Sequence, residues 1–371
     1  MRERLPALDG VAYLNSGTNG PMPEDAVQAM QSELIDQGRR ARIGPAAIEH
    51  WIALRGRVRA AAASVVGAAP EEIALTSSTS QGIGLVCAGL TWREGDEVVT
   101  TTEEHPGLAG PLHELGVRFG VRVHAVDAGR VAEAIGPATR LVAISHVLWT
   151  TGRVMPLPEI AAAAHAVGAL ALVDGAQSVG NIAVDAAATS ADCYAFSGQK
   201  WLLGPLGSGA LWVSPQALDR VAPGTPWYLT YSEGKIGNYQ PDACRLDAGT
   251  IDPVTLTGLA AAIEFVDGLP GGRPAWVETA AANADRARRR IEQVEGARVV
   301  DPGGPGSGLI AVELAHGEPA DATAALAEQG VLVRYIPQTP YLRVSIGAWT
   351  DDTDIERFCD GLGGFLAGAA G

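Results

Sequence analysis

Apolar residues run through the first two thirds of the chain in short blocks separated by amphipathic stretches. Ile73-Ala74-Leu75-Thr76, Glu97-Val98-Val99-Thr100-Thr101, Val121 to Ala125, Arg140 to His146, Leu170-Ala171-Leu172-Val173-Asp174 and Ala191 to Phe196 are the blocks. These runs predict strands, with Arg140 to His146 and Ala191 to Phe196 read as buried ones. Helical spacing fills the gaps. One helix starts at Pro23-Glu24-Asp25 and runs through Ala26, Met30 and Leu34, and a second runs from Ala46 through Trp51, Leu54 and Val58 to Val65. Others carry Ile83, Val86 and Leu90, then Leu112 and Leu115, then Pro158 to Ala166. Strands alternating with helices predict an α/β fold, a mainly parallel sheet covered on both sides. Ligands of such sheets gather at the C-terminal ends of the strands.

The pattern changes after Val213. Residues 222–250 hold Pro223, Gly224, Pro226, Gly234 and Gly237 among Trp227, Tyr228, Tyr231 and Tyr239, too aromatic for a solvated linker, so an ordered loop region is expected. Helices follow at Thr255 to Val266 and at Pro274 to Val294, the latter with Arg286, Arg288, Arg289 and Arg290 on a solvated face. Leu309 to Leu314, Val331 to Val333 and Tyr341 to Ile346 read as strands, Ala320 to Gln329 and Thr353 to Leu366 as helices. This predicts an α+β unit with an antiparallel sheet from about residue 268. Residues 11–23 read as a short strand entering a tight Gly- and Pro-rich loop. The expected division is an N-terminal segment 1–25, a large domain 26–267 and a small C-terminal domain 268–371 on which the segment packs.

Composition narrows the classes. With 371 residues, 47% of them hydrophobic and 19% charged, the chain can bury a sizeable core. A net charge of -15 argues against a nucleic-acid partner. The four cysteines, Cys87, Cys193, Cys244 and Cys359, form no CxxC, so neither a metal site nor a disulfide scaffold is expected; they read as small core residues. No unbroken apolar stretch approaches the ~18 residues of a membrane span, and Met1 to Pro6 lacks the apolar core of a signal peptide. A soluble, cytoplasmic protein is the expectation.

The candidate chemistry sits at strand ends. Lys200 lies in Ser197-Gly198-Gln199-Lys200-Trp201-Leu202-Leu203-Gly204-Pro205, where a strand meets a Gly-rich turn. A lone loop lysine is ordinarily a surface amine, whereas a partly desolvated one loses its proton and becomes a nucleophile. Thr76 to Gly82 is a strand, a hydroxyl-rich turn and a helix start, either an ordinary cap or a phosphate cradle. His105 and Asp174 fall at two further strand ends. An amine for an imine, a carboxylate for a pyridine nitrogen, hydroxyls for a phosphate and an aromatic face together fit pyridoxal 5'-phosphate.

With these residues in place, the chain resembles the class V (fold-type I) PLP-dependent aminotransferase superfamily. Its branch is that of the cysteine desulfurases, the cysteine/cystine C–S lyases and the isopenicillin N epimerase-like proteins. The similarity runs from Leu14-Asn15-Ser16-Gly17 to Trp349-Thr350-Asp351-Asp352 and is most specific at Val173-Asp174-Gly175-Ala176-Gln177-Ser178 and at Ser197 to Pro205. The resemblance implies a large domain with a mainly parallel seven-stranded sheet between helices, and a smaller α+β domain. It implies that Lys200 holds the cofactor and moves the Cα proton, and that Asp174 pairs with the pyridinium nitrogen. Gln177 would donate toward the phenolic oxygen, His105 would stack on the ring, and Thr79, Ser80, Ser197 and Gln199 would hold the phosphate. Thr250 matches the residue that reaches the phosphate of a neighbouring subunit, so a homodimer with sites at its interface is implied. Arg343 matches the arginine that grips the substrate carboxylate, Asn15 is a further candidate for substrate binding, and Trp149 is either packing or a wall of the substrate pocket.

Two departures bear on the reaction. Desulfurases carry a nucleophilic cysteine shortly before that arginine; here Arg334 to Tyr341 contains none. They also carry an asparagine near Trp149, whereas Leu148-Trp149-Thr150-Thr151-Gly152 looks more like the lyases and epimerase-like proteins. The expected function is a PLP-dependent C–S lyase acting on a small amino acid. A class V aminotransferase or amino-acid epimerase is the alternative, with a desulfurase or a cofactor-free binding protein behind them. No nucleic acid, membrane or metal is expected to take part.

Overall fold

Twenty-three regular elements, in a computed structural model that describes residues 1–369, build the chain. In order they are β1 (Ala12–Tyr13), α1 (Glu24–Arg39), α2 (Pro45–Ser64), β2 (Ile73–Thr76), α3 (Thr79–Gly89), β3 (Glu97–Thr101), α4 (Pro106–Phe119), β4 (Arg122–Val126), α5 (Val131–Ala134), β5 (Thr139–Ser145), α6 (Leu157–Ala166), β6 (Leu170–Asp174), β7 (Cys193–Ser197) and β8 (Gly209–Val213). Then come α7 (Pro253–Asp267), α8 (Gly272–Ile291), β9 (Ala297–Val299), β10 (Leu309–Leu314), α9 (Pro319–Glu328), β11 (Val331–Leu332), β12 (Arg334–Tyr335), β13 (Tyr341–Ser345) and α10 (Asp352–Ala369).

The apolar runs form a seven-stranded sheet in the order β2-β8-β7-β6-β5-β3-β4. Strands β7, β6, β5, β3 and β4 pair in parallel, and β8 runs antiparallel between β7 and β2. Strands β2, β5, β6 and β7 therefore end on the same edge. Helices cover both faces, as continuous apolar strands require. On one face Val58 of α2, Ile160 of α6 and Leu259 of α7 pack with Val173 and Phe196. On the other, Ile83 of α3 and Leu112 of α4 pack with Leu172 and Ala195.

The second sheet is antiparallel, in the order β12-β13-β10-β9. It shares a core with α8, α9 and α10 through Ala284, Leu326 and Phe358. The two-residue strand β1 pairs in parallel with β11, which ties the start of the chain to this region. A seam of large side chains, Leu5, Trp201, Phe265, Trp276, Leu309 and Trp349, joins the N-terminal stretch, the lysine loop and the C-terminal region.

Residues 209–213 had no predicted strand, yet Gly209-Ala-Leu-Trp-Val is the buried strand β8. Glycine-rich residues 204–209 mask it in the sequence, and only pairing on both sides reveals it. The short elements α5 and β9 are likewise additional. The run predicted at 331–333 splits at Val333, so that β11 pairs with β1 and β12 pairs with β13. The core reading of the cysteines holds for Cys87, Cys193 and Cys359, but Cys244 is only half-buried. Among the described residues no helix is long and apolar enough to cross a membrane, and no cluster of three or more metal-ligating side chains occurs.

Candidate active site

The common strand edge opens into a cavity of about 220 Å³. Lys200, Asp174, Gln177, His105, Thr79, Ser80, Ser197, Gln199, Trp149 and Arg343 all line it. Ten of the twelve residues singled out from the sequence thus converge.

The remaining two stand apart. Asn15 is one step removed: its Oδ1 accepts from Thr18 Oγ1 at 2.8 Å, and Thr18 lines the cavity. Thr250 is exposed and borders a different groove, lined by Ile43, Ile48 and Trp51 together with Glu33, Asp36 and Arg42.

Each side chain is delivered by local backbone chemistry. Ser78 caps α3, its Oγ accepting from the Gln81 amide at 3.1 Å, so the free amides of the first helical turn face the cavity. His105 caps α4, and its Nδ1 accepts from the Gly107 amide at 3.0 Å. An Nδ1 that accepts leaves the ring proton on Nε2. Burial, then Lys200, pushes the His105 imidazole down to about 4, so the ring is neutral. The Trp149 indole meets it edge-on, with ring centroids 4.9 Å apart.

Asp174 ends β6 and is 6% exposed, with its Oδ1 accepting from the Ala176 amide at 2.8 Å. Burial raises its affinity for a proton, while Lys200 and that amide oppose the rise. Burial pushes the Lys200 amine down to about 8; Asp174 opposes this shift, and Arg343 and Arg334 add to it. Roughly a tenth of this lysine is therefore free base at pH 7, far more than for an ordinary lysine.

Arg343 is 1% exposed, on β13, with burial pushing it down to about 9. Its Nη1 donates to the Trp149 carbonyl at 3.2 Å, its Nη2 to Thr18 Oγ1 at 3.4 Å, and its Nε has no partner. Arg334, directly opposite on β12, also lines the cavity and donates to Thr18 Oγ1 at 3.1 Å. Like charges placed opposite each other across a ladder are unfavourable, so this pair suits an anion between them. Arg334 is not among the residues that the motif resemblance singles out, which in this region marks only Arg343. Its signal was present, a second arginine nine positions before Arg343.

Thr79 Oγ1, Ser197 Oγ and Gln199 Oε1 are buried at the cavity with no hydrogen-bond partner. Buried polar atoms are rarely left unpaired. Hydroxyls beside a helix N-terminus, a buried carboxylate and a desolvated lysine are what a phosphorylated pyridine aldehyde requires. The residues present fit pyridoxal phosphate.

Known proteins resemble this chain. The description Aminotransferase class-V matches residues 12–358. A probable cysteine desulfurase of Methanothermobacter thermautotrophicus is 33% identical over 286 residues, 72% of this chain and 69% of that protein. The isopenicillin N epimerase of Streptomyces clavuligerus is 28% identical, covering 95% of this chain and 94% of its own. Among solved structures, the cystine C–S lyase C-DES in complex with its reaction product cysteine persulfide superposes with a TM-score of 0.91 at 27% identity, over 97% of this chain and 99% of that one. A lysine-to-alanine variant of C-DES with glycine covalently linked to the PLP cofactor gives a TM-score of 0.92 at 26% identity, over 98% and 99%.

Proposed function

The chain belongs to the class-V aminotransferase family, a pyridoxal phosphate enzyme, and from that premise we propose that it is a C–S lyase. The reaction is β-elimination on cysteine, cystine or a cysteine S-conjugate, giving a thiol or persulfide, pyruvate and ammonia. Bound pyridoxal phosphate supplies an electron sink that stabilises negative charge at the substrate Cα.

The chain's own residues account for the rest. Lys200 would hold the cofactor, with Asp174 at its pyridine nitrogen, His105 on its ring and Thr79, Ser80, Ser197 and Gln199 at its phosphate. The Arg343 fork and Arg334 bind the substrate carboxylate. Lys200 Nζ, driven toward its free base by burial, takes the Cα proton. The electron pair of that C–H bond becomes the Cα–Cβ double bond while the Cβ–S bond breaks, and the sulfur departs with its electron pair. The released enamine takes up water to give pyruvate and ammonia.

The observation that carries this reading over desulfuration is the absence of a thiol among the residues lining the cavity. A desulfurase takes sulfur on a thiolate. Cys87, Cys244 and Cys359 are held mainly by burial at about 12, 12 and 11, and Cys193 is raised further by its own burial. The likeness to C-DES supports the same choice.

Holoenzyme mixed with cystine or an S-conjugate should release pyruvate, and Lys200→Ala should lower the rate by about 10³-fold or more. Racemised or transaminated product without pyruvate would sink the lyase reading. The similarity to isopenicillin N epimerase across 95% of the chain favours epimerisation as the second reading. Solvent deuterium entering Cα with the side chain retained would select it.

A further inference from the structure

Gln177 is held on three sides. Its Nε2 donates to the Gly17 carbonyl at 2.9 Å, and its Oε1 accepts from Trp201 Nε1 at 2.9 Å. Its backbone carbonyl accepts from Asn181 Nδ2 at 2.8 Å, and Asn181 Oδ1 accepts from the Gly308 amide at 2.9 Å. The two ends of a glutamine amide are told apart by their partners. An indole nitrogen can only donate and a carbonyl can only accept. A flipped Gln177 would set N–H against N–H at Trp201 and oxygen against oxygen at Gly17. The observed orientation is therefore fixed by chemistry, and one Nε2 hydrogen remains for the cavity that Gln177 lines.

We propose that Trp201 is a positioning residue for the cofactor site: its indole N–H engages the Gln177 carbonyl and turns the amide so that an Nε2 hydrogen is presented to the cavity. A ligand atom that meets Gln177 must then be an acceptor, as the phenolic oxygen of pyridoxal phosphate is. Trp201 directly follows Lys200 and is 2% exposed within the seam formed with Leu5, Leu309 and Trp349. Its seat is tight. A Cβ on Gly180 would lie 2.6 Å from the Trp201 carbonyl oxygen, and one on Gly308 would lie 2.6 Å from Asn181 Oδ1 and 3.2 Å from the Trp201 ring. Packing where the N-terminal and C-terminal regions meet the lysine loop thus sets the polarity of one wall of the site. The inference rests on the cofactor alone and not on β-elimination, so a spectral test separates its failure from failure of the lyase reading.

The test is the pH midpoint of the visible absorption change of the holoenzyme, with the dissociation constant of the cofactor measured alongside. Trp201→Phe keeps a ring in the seam and removes the N–H. It should shift the midpoint by about one pH unit, the size of one hydrogen bond to a charged oxygen, and weaken cofactor binding. Gln177→Ala should give the same shift, and the double variant no more than either alone. Trp349→Phe thins the same seam, but its indole donates to the Tyr13 carbonyl at 3.2 Å and should leave the midpoint in place. Additive shifts in the double variant, or an equal shift from Trp349→Phe, would overturn the proposal. Trp201→Leu serves if Trp201→Phe does not fold: it too removes the N–H that Gln177 accepts, so the midpoint should move, and an unmoved midpoint rejects the role.

Discussion

Glu104 stands beside the site without lining its cavity. The residue is 9% exposed, its Oε1 accepts from Thr101 Oγ1 at 2.8 Å, and its Oε2 accepts from Ser145 Oγ at 2.5 Å. Burial pushes its carboxyl up to about 7, with Asp174 adding to the rise and the Ser145 and Thr101 hydroxyls opposing it. The folded protein therefore holds this proton over a range where the unfolded chain has released it. Stability from that proton is fully present below about pH 4.5 and is lost as pH rises through about 7. Glu104→Gln removes the titration and nearly keeps the shape. Its unfolding free energy, read from denaturant titrations, should nearly match wild type near pH 5 and exceed it near pH 8 by up to about 3 kcal/mol; equal differences at both pH values would refute the assignment. Gly17 is a second residue-scale constraint. A Cβ there would lie 2.9 Å from Arg343 Nη2 and 2.9 Å from the Leu309 side chain. Gly17→Ala should push Arg343 off the carboxylate position and raise KM about tenfold with a smaller change in kcat. Steady-state kinetics on the substrate found by the pyruvate assay decides this.

The element with least regular structure is residues 222–250, and one buried carboxylate pins it. Asp247 accepts from the Leu75 amide of β2 at 2.8 Å, from Arg59 of α2 at 2.5 Å and from Arg55 of α2. Arg55 is 3% exposed, with its guanidinium 4.9 Å from the Trp51 ring and 5.1 Å from the Trp227 ring. Asp247→Ala leaves two arginines and a backbone amide without their acceptor, which costs about 3–5 kcal/mol. A lower melting temperature with new proteolytic cuts inside 222–250 is expected. A melting temperature within error of wild type would show that the aromatic contacts hold the segment unaided. The aromatic residues made an ordered loop legible in the sequence, but the pin was not. It spans 172 positions from Leu75 to Asp247, and no local pattern encodes such a partner. The same holds at the site. Periodicity located the strands whose ends carry Asp174 and Lys200, and motif resemblance supplied their roles. The Trp201–Gln177–Gly17 chain and the Arg334–Arg343 pair exist only through tertiary register. Strand β8 was hidden because its glycine neighbours read as turn, although it pairs along the whole of β7, the strand that leads into the lysine loop.

At the scale of the molecule, the unanswered position is Thr250. It is exposed, outside the cavity, on a groove that Ile43 and Ile48 also line at 84% and 58% exposure. Apolar surface of that kind marks an association face. If a second copy covers it, as the family resemblance implies, Thr250 of one subunit completes the phosphate cradle of the other. Subunit mixing tests this geometry. Lys200→Ala lacks the amine, and Thr250→Asp places a negative charge where the phosphate should sit, so each homodimer should be inactive. A mixed dimer holds one site with Lys200 from the Thr250→Asp subunit and Thr250 from the Lys200→Ala subunit. Random two-fold pairing puts half of the dimers in the mixed state with one good site each, so refolding or co-expressing the pair should recover about a quarter of wild-type activity. If Thr250 served its own subunit, every site in the mixture would lack either the amine or the threonine, and mixing would recover nothing.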